Sequence, residues 1–150
     1  MKKIIKAGAT SQTIDIFIQD SASTTGGGKT GIAYNAASLT AYYRKGATGS
    51  ATAITLATQT VGGAYSSGGF VEIDATNMPG MYRLDLPNAV VDTAGSVSLM
   101  LKGASGMAPL PIELQVIAAD LDDATALGLS RLDAAITSRM SVRAFTAQAV

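Results

Sequence analysis

FVEIDATNMPGMYRLDLP, residues 70–87, is the stretch whose reading decides the fold. Two runs of period-two alternation flank Asn77, Met78, Pro79 and Gly80. In the first, Val71, Ile73 and Ala75 share a face and Glu72 and Asp74 take the other. In the second, Tyr82, Leu84 and Leu86 face one way while Arg83 and Asp85 face away. Such alternation marks strands with one buried and one wet side. Pro79 supplies the φ needed at the first central position of a type II turn, and Gly80 the positive φ needed at the second. The two runs are therefore expected to be sequential antiparallel neighbours joined at Pro79-Gly80.

Outward from this pair the same grammar repeats. TIDIFIQD (13–20) sets Ile14, Ile16 and Ile18 against Asp15, Phe17 and Gln19, and Phe17 among polar positions suggests apolar cover on both sides. SLTAYYRK (38–45) alternates Leu39, Ala41 and Tyr43 with Thr40, Tyr42 and Arg44. TAITLATQT (52–60) reads as one strand, with Ile54 and Leu56 together. SVSLMLK (96–102) and PIELQVIA (111–118) complete the set, and Pro109 and Pro111 suit entry to an edge strand. Val90 and Val91 are apolar anchors in the connection after Pro87. About seven short strands, separated by Gly-, Pro- and Asn-rich turns without helical pattern, predict an all-β, immunoglobulin-like antiparallel β-sandwich over residues 12–119. A small antiparallel barrel is the competing architecture. Residues 1–11 read as an N-terminal arm. Tyr82, soon after the turn, is either a corner tyrosine with its hydroxyl on backbone or a plain core aromatic.

After residue 119 the pattern changes. Asp120, Asp122 and Asp123 are the acids of a helix start, and Arg139 and Arg143 suit its end. Leu121, Leu129, Leu132, Ile136 and Met140 form an apolar stripe, so a short C-terminal α-helix is expected within 120–150. That stripe either folds back on the sandwich or takes a partner, and a helix appended to a self-sufficient sandwich favours the second, oligomerisation or docking through those five residues.

Composition narrows the function. Eleven basic residues balance 11 acidic ones, which gives no field for nucleic acid or an anionic membrane. No cysteine and no histidine are present, which argues against thiolate, zinc and Ser–His chemistry. No run is long enough to span a membrane, and MKKIIKAGAT lacks a secretory apolar core, so folding in the cytoplasm of the producing cell is expected. No cofactor, metal site or enzyme activity is expected.

Three patterns nevertheless suggest chemistry. Residues 23–30, STTGGGKT, approximate a phosphate-binding loop, but Ser23 stands where that motif has Gly and the following GIAYNAASLTAYY is strand-like. Glu72, Asp74, Arg83 and Asp85 lie on polar faces of neighbouring strands, which is met more simply by charge pairing than by a carboxylate pair for catalysis. Tyr34, Tyr42, Tyr43 and Tyr65 are candidates for a sugar-stacking platform, although Tyr42 and Tyr43, adjacent on a strand, face opposite ways.

SQTIDIFIQDSAST, LTAYYRKG and PGMYRLDLP, with SVSLMLKG and IELQVIAAD, resemble a family of small virion proteins encoded by tailed bacteriophages within or near tail-fibre and baseplate modules. The resemblance spans about residues 11–120. LGLSRLDAAITSRM is similar to short helices that follow such domains. The resemblance implies a virion location and a tail-appendage connector or anchor role, with a capsid decoration or head-fibre protein as the alternative; a second alternative, resting on the loop tyrosines, is a carbohydrate-binding surface module. It implies partners among other virion proteins, tail or capsid, and a homo-oligomer, a homotrimer by default.

Overall fold

A computed structural model describes residues 2–119. The expected C-terminal helix and its stripe, Leu121, Leu129, Leu132, Ile136 and Met140, lie outside the described residues.

The architecture is mostly β, with two sheets packed as a sandwich. Its strands are β1 (Lys2–Lys6), β2 (Thr13–Phe17), β3 (Thr40–Lys45), β4 (Thr52–Ile54), β5 (Ala57–Thr58), β6 (Gly69–Asp74), β7 (Met78–Asp85), β8 (Gly95–Lys102) and β9 (Leu110–Ile117), with a 3-10 turn at Asn88–Val90. One sheet has the order β1-β9-β8-β3-β4 and the other β2-β7-β6-β5. Two corrections to the expected antiparallel, seven-stranded arrangement follow. The stretch read as an arm contains β1, which runs parallel to β9 from Lys2↔Glu113 to Lys6↔Ile117. TAITLATQT is two strands rather than one: β4 pairs with β3 in the first sheet, and β5 pairs in parallel with β6 in the second. Thr55 and Leu56 make the crossing between sheets. Gly68 fits against it because a Cβ there would fall 2.0 Å from the Thr55 carbonyl oxygen.

The inner faces supply the core. Ile14, Ile16, Phe70, Tyr82 and Leu84 of the second sheet face Ala41, Val97, Leu99, Leu101, Leu114 and Val116 of the first, all buried. Burying such side chains stabilises a domain by roughly 1.5–3 kcal/mol each relative to exposure. Val90 and Val91 close one end of the core, both fully buried, as the apolar pair in that connection led us to expect. Phe17 does not have cover on both sides; it is 42% exposed, because its neighbours Ile16 and Ile18 hold the strand's inward positions.

The deciding stretch is a hairpin, but its reversal falls earlier than Pro79-Gly80. Residues 75–77 turn, and the Asp74 carboxylate holds them: Oδ1 accepts from the N–H groups of Thr76 and Asn77, both at 2.8 Å, and Oδ2 from Asn77 Nδ2 at 2.8 Å. An Asx-type side chain that captures two backbone donors makes a tighter local stop than a proline two residues on. Pro79 and Gly80 instead sit inside β7, where the β6–β7 register shifts between Glu72 and Asp74. This bulge tolerates a residue without an N–H and uses Gly80 at φ +84°. The register also gives β6 the opposite facing to that expected, since Phe70 pairs with Leu84 and Glu72 with Tyr82. Phe70 is buried, so Glu72 shares its side and Val71 and Ile73 point outward.

β9 is shielded unevenly. The Ala7 N–H donates to Ile117 O at 2.7 Å, so odd-numbered residues of β9 turn their backbone groups toward β1. The β1 pairing covers Glu113 to Ile117, and the next position of that parity is Pro111, which has no N–H to leave exposed. Across the sandwich seam, Lys3 Nζ donates to Thr13 O at 2.7 Å and occupies a carbonyl on the outer edge of β2.

Candidate functional site

The loop after β2 holds the phosphate-loop-like run. Asp20 N–H donates to Gly27 O at 2.8 Å and Gly27 N–H to Ser23 Oγ at 2.7 Å, which folds the run into a closed excursion. Lys29 N–H donates to Ile18 O at 2.8 Å and brings the chain back beside β2. Gly28 then crosses the bulge in β7: a Cβ on Gly28 would lie 2.1 Å from Pro79 O, and one on Gly80 would lie 2.5 Å from the Gly28 Cα. Two glycines are needed because two backbones touch there. No helix opens behind Lys29, and its ammonium lies 3.6 Å from Asp20 Oδ2. Without helix N-terminal amides, the run lacks the anion-binding geometry of a phosphate loop. Its glycines serve a backbone crossing.

Tyr82 ties this crossing to the core. Its ring is fully buried and stacked on Phe70, with centroids 5.0 Å apart and planes 3° from parallel. Its hydroxyl donates to Lys29 O at 2.8 Å and accepts from Ile32 N–H at 3.1 Å. Burial, aided by the nearby Glu72 charge and opposed by the Ile32 N–H, holds the phenol above its ordinary pKa. The hydroxyl thus reaches backbone about fifty residues upstream in sequence. A corner tyrosine of an immunoglobulin domain bonds only a few residues away.

The four charged residues of the hairpin do not converge. Glu72 turns inward at the sheet's end, where Oε2 accepts from Gly31 N–H at 2.9 Å and Oε1 is buried without a hydrogen-bond partner. Asp74 is used in its turn. Arg83 and Asp85 form a separate cluster on the outer side of β7, and the expectation that Asp85 faces water is overturned: it is 0% exposed. The segment from β5 to β6 covers it. Asp85 Oδ1 accepts from Thr13 Oγ1 at 2.8 Å and Arg83 Nε at 2.9 Å. Oδ2 accepts from Gln59 Nε2 at 2.7 Å, Ser66 N–H at 2.9 Å and Arg83 Nη2 at 3.1 Å. Arg83 Nη1 in turn donates to the carbonyls of Val61 and Gly63, each at 2.9 Å. Burial pushes the Asp85 carboxyl up, but the Arg83 guanidinium together with Ser66, Thr13 and Gln59 outweighs it, so the carboxyl stays below its ordinary range. With its carboxylate saturated by five donors, this is a clamp on the 59–66 loop rather than a reactive pair.

The structure brings only some of the tyrosines together. Tyr65 Oη donates to Leu86 O at 2.7 Å. Tyr43 is half-buried, with Lys45 Nζ 6.0 Å from its ring centroid. Tyr34 and Tyr42, each 37% exposed, line one hollow of about 170 Å³ with Leu39, Thr40, Ala53 and Ile54. Tyr42 also borders a larger hollow of about 540 Å³ over β3, β8 and β9, with Arg44, Ser96, Ser98, Met100, Pro111 and Glu113. Sequence reading singled out the tyrosines but missed these neighbours. The signal was present in the outward parity of Tyr42 and Arg44, yet the cross-strand partners follow only from the register Tyr42↔Met100↔Pro111 and Arg44↔Ser98↔Glu113.

Among the described residues no group of three or more His, Cys, Asp or Glu side chains is placed to hold a metal ion, and no helix is long and apolar enough to cross a membrane. No family model matches the chain, and no curated protein matches it in sequence.

Proposed function

We propose that this chain is a structural building block of a tailed-bacteriophage particle, an immunoglobulin-like connector or anchor in a tail appendage. One observation carries the reading. The polar groups with most chemical potential are engaged in holding loops, while large apolar side chains stand at the surface: Ile4 is 56% exposed, Val61 49%, Met78 44% and Phe17 42%. Such a surface has material for contacts with other proteins rather than for turnover. The strand order supports the immunoglobulin comparison, since a first strand lying parallel to the last beside three further strands, over a separate sheet begun by β2, fits the connectivity of variable-type domains.

The expected oligomer belongs to this reading. Leu121, Leu129, Leu132, Ile136 and Met140 are its proposed contact stripe, and repetition in a symmetric particle multiplies weak contacts. Light scattering on the purified protein tests it: a trimeric mass that falls to monomer in L132D/I136D is expected, and a wild-type monomer at tens of micromolar overturns the self-association. Immunogold labelling of purified particles tests the location. Label on the tail is expected, label on the head favours the decoration role, and unlabelled particles overturn the virion assignment.

A further inference from the structure

We propose that the outer face of the five-stranded sheet binds an acidic saccharide, with the Tyr42 ring as its platform. Tyr42 lines both the larger hollow over β3, β8 and β9 and the smaller one at the β3–β4 end of the sheet. The larger hollow, about 540 Å³, falls within the ~300–1,000 Å³ typical of small-ligand sites. A phenol ring that borders a hollow, 37% exposed, offers a surface for the C–H face of a pyranose. Met100 and Pro111 continue the apolar floor across β8 and β9. The Tyr42 and Ser98 hydroxyls have no hydrogen-bond partners among the described residues and are open to sugar hydroxyls.

Charge selects the acidic class. Along β3 the outward positions are Thr40, Tyr42 and Arg44, and the cross-strand partner of Thr40 is Lys102, so a cation stands on each side of the ring. The exposed Arg44 guanidinium is held by the carbonyls of Gly49 and Ala47, neutral partners that orient it without cancelling its charge. Lys102 is exposed and has no carboxylate partner among the described residues. The only carboxylate in the larger hollow is Glu113, which pairs with Ser98 in the row of Arg44 and whose Oε1 accepts from Ser96 Oγ at 3.2 Å. Two cations flanking an exposed ring favour a ligand with carboxylates or sulfates beside its ring faces. A nucleic acid would need a broader basic surface than these two positions supply. The site stands on this face alone and does not depend on where in a particle the chain sits.

The test is a glycan array carrying uronate, sialylated and sulfated glycans beside their neutral counterparts, followed by titration of the strongest hit against wild type, Y42A and R44Q/K102Q. Signal confined to acidic glycans is expected. Y42A is expected to weaken the hit by about tenfold or more while leaving the thermal melt in place, since the ring lies outside the core. R44Q/K102Q is expected to abolish the salt dependence of binding. No acidic hits, equal binding to neutral counterparts, unchanged affinity in Y42A, or equal competition by polyglutamate would each overturn the assignment, the last by showing that charge without a sugar suffices.

Discussion

Replacing Asp85 by Ala is the most informative single perturbation of this sandwich. The side chain is fully buried and accepts five hydrogen bonds, two of them from a guanidinium that is itself 13% exposed. Truncation leaves the Arg83 charge without its counter-ion and strands the Ser66 N–H, the Gln59 amide and the Thr13 hydroxyl. Removing one partner of a buried pair costs about 3–5 kcal/mol, against a total stability of roughly 5–15 kcal/mol for a domain of this size. A fall in melting temperature on the order of 10–20 °C follows. Urea titration followed by circular dichroism measures the loss, and the R83M/D85L double replacement is the control. It removes both charges together and is expected to lose less than D85A, because no uncompensated guanidinium remains, while still losing stability through the Ser66, Gln59 and Thr13 donors left unpaired. If D85A lost less than about 1 kcal/mol, the clamp would be a surface decoration and the reasoning from burial would fail. Hydrogen exchange adds a spatial check, since protection at residues 59–66 should collapse in D85A before that of β8.

Three further outcomes are expected. The Asp85 carboxyl is held below its ordinary range, so its contribution is fully present above the unfolded-state pKa of about 3.9 and is lost as pH falls through the folded-state value. Urea midpoints should therefore be level from pH 7 to 5 and drop below about pH 4, with a shallower drop in D85N. G28A should destabilise by about 2 kcal/mol or more, because its Cβ meets Pro79 O at 2.1 Å, whereas G62A, with open space around it, should change stability by under about 0.5 kcal/mol; neither ATP nor GTP should shift the wild-type melt. Y82F leaves the Ile32 N–H and Lys29 O without their shared partner and should lose about 1–3 kcal/mol by urea titration, with faster amide exchange at residues 29–32.

The sequence revealed strands far better than it revealed edges. Ile14, Ile16 and Ile18, or Val97, Leu99 and Leu101, declare their inward face because alternation is a local property of the pleat. The break inside TAITLATQT was hidden because a chain that changes sheets keeps its strand composition throughout, and only the approach of Gly68 to Thr55 marks the crossing. Residues 2–6 are too short and too basic to announce a strand, and their pairing depends on β9, which lies at the far end of the described chain. Asp85 looked solvent-facing because parity correctly gave its side of the sheet, but parity says nothing of a loop that returns to cover that side. The glycines of residues 26–28 drew attention for the wrong chemistry: permissive backbone is needed alike where a phosphate approaches and where another backbone does. Of the Tyr42 surface, the ring and Arg44 were legible from one strand. Lys102, Ser98 and Met100 required the register.

The parallel pairing of β1 with β9 has a consequence for biosynthesis. On a ribosome the first strand emerges early and has no sheet to join until Leu110–Ile117 has left the exit tunnel, on the order of ten seconds later at ~5–20 residues per second. Until then the nascent chain carries β3 and β8 with one flank open, and its contacts of longest sequence separation are the last to form. Closure of the five-stranded sheet therefore reports that translation has passed Ile117: only a chain made through that residue can seat β1.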